Sequence, residues 1–429
     1  MNQEERREKR RHDTKHAVIK FTAFLVIVAA LAAGAIFAFL QFAPKHPTKK
    51  QEAVPATENT EISSGTESSV KTPAPAVDPL VEQAAQFVSQ MSLEDKIAQM
   101  FVITPEALTG YQSVTAAGDT TKEFYDKKPV GGLIYMAQNL QGTDQTTEML
   151  TNMQNFSKDR TGLPIFLSVD EEGGTVSRVA GNAAFGVKDV GDMSDIGATG
   201  DEQNAYDAGS MIGTYLKALG FNLDYAPVAD VLTNPDNTVI GKRAFGSDSQ
   251  LVSKMVTKEL EGLKSQGVYG AIKHFPGHGG TSGDSHKEAV TLDQSLEELA
   301  STELVPFQAA IDAGASFVMV GHISVPQVIG DDTPSSLSQM MVTNVLREQL
   351  GYDEIVMTDA MNMGAITSKY SSDKAAVLAI NAGVDMILMP EDYEKAYDGL
   401  LKAVQDGTIT EARINESVVR IVKIKLSME

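Results

Sequence analysis

The sequence of 429 residues contains no cysteine. That absence excludes disulfides, thiolate metal sites, a cysteine nucleophile and a lipid-modified N-terminal cysteine. It leaves the compartment open, because export does not require disulfides. Positive charge is also scarce: 36 Lys+Arg stand against 57 Asp+Glu, a net charge of −21. Such a field repels nucleic acid and anionic lipid from most of the surface, so no nucleic-acid partner is expected. Apolar (42%) and charged (22%) fractions are those of an ordinary globular protein and exclude a wholly disordered or fibrous one.

The N-terminus departs from this acidic background. Residues 1–20 hold seven Lys/Arg and four acids, a basic stretch read as a cytoplasmic tail. Residues 21–42 (FTAFLVIVAALAAGAIFAFLQF) carry no charge and are long enough to cross a hydrocarbon core of roughly 30 Å as a helix. The expectation is a single-pass transmembrane anchor, or an uncleaved signal, with everything after Ala43 outside the cell membrane. A buried helix of the domain and a cleaved signal peptide that releases a secreted protein are the competing readings. Residues 43–79 are rich in Pro, Thr, Ser, Glu and Lys and lack aromatics, so they bury too little apolar surface to offset their ordering entropy. They read as a flexible extracellular linker.

From residue 80 to 429 the composition is globular, with no second Pro/Ser-rich break. Eight short apolar runs recur there: QMFVI, GLIYM, IFLSV, LDYAPV, VYGAIKH, SFVMV, EIVMT and DMILM. Helix-period stretches lie between them, including 202–219, 251–263, 296–313 and 375–382, with glycines 220, 267, 314 and 383 at their ends. Alternating units with continuously apolar strands predict a parallel sheet. Eight of them predict a single (β/α)8 TIM-type barrel, preceded by the transmembrane helix and the linker, with a doubly wound sheet as the alternative. Asp170, Arg243, Lys273, His274, His322 and Asp359 all fall at or just past a predicted strand's C-terminal end, where barrel active sites are built.

Residues 273–286 (KHFPGHGGTSGDSH) put three histidines, a lysine and an aspartate among four glycines. Core packing has no use for that set. Pro276 and Gly277 argue against the helix that would pair His274 with His278 as metal ligands, and no cofactor or metal is expected. In Asp284-Ser285-His286 the carboxylate can orient a neighbouring imidazole and stabilise its protonated form, which suits a general acid/base near neutral pH. The glycine-rich surroundings suggest a loop that closes on substrate. Asp359 follows an apolar strand directly; it is either a helix N-cap or, beside an acid/base histidine, a carboxylate nucleophile for an anomeric carbon. The segments Asp170-Glu171-Glu172-Gly173-Gly174 with Arg178, and Gly241-Lys242-Arg243, offer the rigid donors and acceptors that sugar hydroxyls need, or are surface ion-pair clusters.

On these motifs the domain resembles glycoside hydrolase family 3, in its β-N-acetylglucosaminidase (β-N-acetylhexosaminidase) branch, over about residues 80–425. Lys-His-Phe-Pro-Gly-His-Gly followed by Asp-Ser-His is the specific match; NLDYAPVADV, VGHI and AGVD are weaker ones. The resemblance implies a retaining mechanism with Asp359 as nucleophile, His286 as acid/base and Asp284 as its dyad partner. It also implies that Asp170, Arg178, Arg243, Lys273 and His274 hold N-acetylglucosamine behind the scissile bond. Glu171 stands where that family usually has glutamine, and Thr175 where it usually has arginine, which bears on outer-subsite preference. The family often carries a second α/β domain; since the chain ends at Glu429, the barrel loop is expected to supply the acid/base itself.

The expected function is therefore an exo-acting β-N-acetylglucosaminidase acting on cell-wall glycan or its fragments. Phosphorolysis of the same glycosides, a metal-dependent amidase or esterase, and a non-catalytic glycan-binding module are the alternatives.

Overall fold

A computed structural model describes residues 78–285 and 287–428. The eight apolar runs become eight short strands: β1 (Phe101–Ile103), β2 (Gly132–Ile134), β3 (Phe166–Val169), β4 (Leu223–Asp224), β5 (Tyr269–Phe275), β6 (Phe317–Val320), β7 (Ile355–Thr358) and β8 (Ile387–Leu388). Every pairing between them is parallel, in the order β7-β6-β5-β4-β3-β2-β1-β8. A parallel bridge between Met357 and Met386 joins the two edges of that order, so the sheet closes into a barrel rather than staying open as a doubly wound sheet would. Nearly all the strand residues are buried, because side chains pack inside the barrel on one face and under helices on the other.

The anchor part of the expected architecture is corrected. No helix among the described residues is long and apolar enough to cross a membrane. The longest of them, Thr143–Thr161, is studded with polar and charged residues. Residues 21–42, on which the span was read, lie outside the described residues.

Helices Glu202–Leu219 and Ser372–Ala382 end at Gly220 and Gly383, each in the left-handed conformation that spares an L side chain its steric cost. The predicted helix over 296–313 is two helices, Leu296–Ser301 and Leu304–Asp312. Pro306 supplies the reason: it has no N–H to give to Thr302, and its ring crowds the carbonyl four residues back. In helices Glu202–Leu219 and Ser249–Ser265, glycines permit backbone-to-backbone approach. A Cβ on Gly209 would sit 2.2 Å from the Glu259 carbonyl oxygen, and one on Gly262 would sit 2.3 Å from that of Tyr206.

Glu259, on helix Ser249–Ser265, is buried, and neither carboxylate oxygen finds a hydrogen-bond partner among the described residues. Burial, reinforced by repulsion from Glu172, raises its carboxyl to about 8. Between its unfolded value and 8 the unfolded chain gives up this proton while the folded chain keeps it, so stability falls as pH rises through that window. Glu259→Gln removes the penalty. Its melting temperature is expected to exceed that of the wild type by a margin that widens from pH 5 to pH 8; thermal melts across that range check it, and a constant margin would refute it.

Candidate active site

The loops at the C-terminal ends of the strands surround a cavity of about 300 Å³. Six of the eight residues given a role above line it: Asp170 after β3, Arg178 beyond the hairpin that follows, Arg243 after β4, Lys273 and His274 in β5, and Asp359 after β7. Asp284 does not. It lies on the loop after β5, with Lys287 Nζ 3.1 Å from its Oδ2. His286 lies outside the described residues. The next residue back, Ser285, is held from two sides: its Oγ is 3.1 Å from His278 Nε2, and its carbonyl accepts from Ala365 N at 3.3 Å. The second of these ties the β5 loop to the helix Gly364–Thr367, just beyond Asp359.

The cavity's charges form one connected network. Lys273 Nζ donates to Asp170 Oδ1 at 2.8 Å and lies 2.6 Å from Glu172 Oε1. Arg243 grips the same Glu172 with both arms, Nε to Oε2 at 2.7 Å and Nη2 to Oε1 at 2.8 Å. Such a bidentate pair fixes the guanidinium's plane as well as its position. Burial by itself would raise the Glu172 carboxyl; Lys273 and Arg243 outweigh it and hold the group far below the usual carboxylate range.

A second carboxylate orients the histidine. Asp230 is buried, its Oδ2 is 2.7 Å from His274 Nδ1, and its Oδ1 accepts the backbone N–H groups of His274 and His278 at 3.1 and 2.7 Å. Asp230 therefore holds the proton-bearing side of the ring at Nδ1 and turns Nε2 toward the cavity. Burial opposes ionisation of Asp230, but the two histidines and the backbone donor prevail and lower its carboxyl.

Among the described residues, Asp359 is the one acid lining this cavity without a cation bonded to it. Its Oδ1 accepts the N–H of Ala360 at 2.7 Å, and its own N–H goes to the Val320 carbonyl, so its backbone is pinned to the end of β6. Burial pushes its carboxyl up; His274, His322, the Ala360 N–H and Lys273 together pull it below the ordinary value. The result is an ionised carboxylate with one oxygen engaged, held rigidly in a pocket lined by Ile134, Met136 and Met319 as well as polar groups. An oxygen so placed can attack an electrophilic carbon and then leave it.

Two participants escaped the sequence reading. Glu172 was visible as one acid of a pair but carried no assignment, and only the fold shows that Lys273 and Arg243 converge on it. Asp230 sits at the end of NLDYAPVAD with nothing nearby in sequence to mark it; its partner is 44 residues away.

The family model described as the glycosyl hydrolase family 3 N terminal domain matches residues 92–424. The chain belongs to glycosyl hydrolase family 3.

Its relatives place it in the β-N-acetylglucosaminidase branch. It is 31% identical over 381 residues to the β-hexosaminidase LpqI of Mycobacterium tuberculosis, covering 85% of this chain and 92% of that protein. It is also 31% identical over 340 residues to β-hexosaminidase A of Pseudoalteromonas piscicida, covering 74% of this chain. The solved structure of a family 3 β-N-acetylglucosaminidase from Paenibacillus superposes with a TM-score of 0.73 at 36% identity over 79% of this chain. The chain spans 56% of the length of the Pseudoalteromonas protein and 63% of the Paenibacillus one.

Proposed function

We propose that this family 3 hydrolase is an exo-acting, retaining β-N-acetylglucosaminidase whose natural substrate is cell-wall glycan or its fragments. The observation that carries the reading is the ionised, cation-free Asp359 in one cavity with Asp170, Arg178, Arg243, Lys273 and His274. A neutral sugar needs such a nucleophile, together with fixed donors and acceptors for its hydroxyls. The names of the relatives support N-acetylglucosamine as that sugar.

In the proposed reaction, a carboxylate oxygen of Asp359 attacks the anomeric carbon as the β-glycosidic C–O bond breaks. His286, assigned through the Asp-Ser-His motif with Asp284 as its partner, protonates the departing oxygen. Water, deprotonated by the same histidine, then attacks that carbon and displaces Asp359, so two inversions leave the configuration retained. Lys273 and Arg243, neutralised together by Glu172 and Asp170, present N–H donors to the sugar without a net field that would attract anions.

The test is nitrophenol release by the full chain from 4-nitrophenyl N-acetyl-β-glucosaminide beside 4-nitrophenyl β-glucoside, in phosphate and in an inert buffer of equal ionic strength. Turnover of the acetamido sugar alone, at equal rates in the two buffers, is the expected result. Dependence on phosphate would replace hydrolysis with phosphorolysis, and preference for the glucoside would overturn the substrate. In His286→Ala the loss is expected to be smaller for a dinitrophenyl leaving group, which needs less proton donation, than for a sugar leaving group. Equal losses would remove His286 from the acid role.

A further inference from the structure

Arg178 differs from the other two cations of the cavity. Lys273 and Arg243 are each locked to carboxylates, whereas Arg178 has no ion pair among the described residues, and its Nε is buried without a hydrogen-bond partner. Its side chain is therefore not held by its tip. What is held is the backbone it springs from. Glu171, fully buried, accepts three successive backbone donors: Arg178 N and Val179 N on Oε2 at 2.6 and 2.8 Å, and Ala180 N on Oε1 at 2.7 Å. Oε1 also accepts the Tyr215 hydroxyl at 2.8 Å, which anchors the carboxylate to helix Glu202–Leu219.

We propose that Glu171 is a positioning residue for substrate binding: its carboxylate clamps the 178–180 backbone to the barrel's helical shell, so that the unpaired Arg178 guanidinium faces the sugar. The inference rests on the sugar-binding reading above. It also gives a physical meaning to the acid at this position, where the family resemblance leads one to expect glutamine. Two carboxylate oxygens accept from both sides of the group. A glutamine offers one acceptor oxygen and turns an NH2 toward the other side. Tyr215 can rotate its hydroxyl to meet that NH2, but the Ala180 N–H is fixed and is left facing another donor. Replacing Glu171 with glutamine therefore loosens the backbone beside Arg178 without changing the volume of the buried side chain.

The substitution touches a binding group and no reacting atom. Glu171→Gln is expected to raise KM for the nitrophenyl acetamido sugar by about 5- to 20-fold while kcat stays within about twofold. Inhibition by free N-acetylglucosamine should weaken in parallel. Tyr215→Phe, which removes only one of the four donors, should raise KM by no more than about threefold.

A double-mutant cycle with Arg178→Ala decides whether Glu171 acts through that arginine: in the Arg178→Ala background, Glu171→Gln should leave KM unchanged. Wild-type turnover with an unaltered KM in Glu171→Gln, whether or not its melting temperature falls, would overturn the inference and leave the enzyme reading intact. So would a KM increase that persists in full without Arg178, or a loss confined to kcat. A wild type silent on every glycoside would overturn the enzyme reading, and the inference with it.

Discussion

Asp359→Asn is expected to reduce turnover of 4-nitrophenyl N-acetyl-β-glucosaminide by about 10⁴-fold, equivalent to roughly 5.5 kcal/mol of lost transition-state stabilisation. Asparagine keeps an oxygen for the Ala360 N–H, so the loop should stay where it is and the cavity should keep its shape. Only the charge and the nucleophilic electron pair are removed. Calorimetric titration with N-acetylglucosamine should accordingly return an affinity within a few-fold of the wild type while the rate collapses. That split separates a nucleophile from a structural acid, whose loss would weaken both together. Turnover that survives the substitution would mean that the attacking group lies elsewhere. Because His274, His322 and Lys273 hold Asp359 ionised below the ordinary aspartate range, the acid limb of wild-type kcat/KM should fall below pH 4 if this carboxylate sets it.

Glu172→Gln should be nearly as damaging, for a different reason. Glu172 is the shared counter-ion of Lys273 and Arg243, and all three side chains are largely withdrawn from water. Removing one charge from such a network strands the others in a poorly solvated place, which typically costs about 3–5 kcal/mol. A melting temperature lower by several degrees at pH 7, together with a fall in kcat/KM of at least about 100-fold, is the expected outcome.

The pH dependence supplies an internal control. The folded-state carboxyl is depressed, so its contribution is complete above the unfolded value near 4.3 and fades as pH falls through the folded value. The stability gap between variant and wild type should therefore be full at pH 6 to 7 and shrink below pH 4. A gap that stays constant with pH would mean that the substitution acts through packing alone.

All eight strands were legible from local pattern, since a run such as IFLSV or EIVMT announces a doubly covered strand by its own composition. The glycines that end helices Glu202–Leu219 and Ser372–Ala382 were legible for the same reason, the αL requirement belonging to one residue and its immediate neighbours. The break between Ser301 and Leu304 was missed. The helical period runs straight through it, and only the competition between Pro306 and the Thr302 carbonyl interrupts it. Residues 21–42, however plain their apolar run, lie outside the described residues, and no described helix could take the membrane role.

In the candidate site the division follows sequence distance. Asp170, Arg243, Lys273, His274 and Asp359 could be nominated one by one, because each ends or follows a strand and barrel mouths collect such residues, and Arg178 could be nominated from the glycine-turn segment and the family resemblance. Their pairings could not. Arg243 reaches Glu172 across 71 residues, Lys273 reaches Asp170 across 103, and Tyr215 reaches Glu171 across 44.

The sequence by itself determined the strands, the ends of several helices and the set of reactive side chains delivered to one rim. These depend on a residue and its near neighbours, and such short-range physics can be read along a chain. Only the tertiary structure decided which acids neutralise cations, which one orients His274, and which one carries no bonded cation among the described residues. Closing the barrel brings together residues tens of positions apart, and the charge state of a buried carboxylate depends on what then lies within a few ångströms of it.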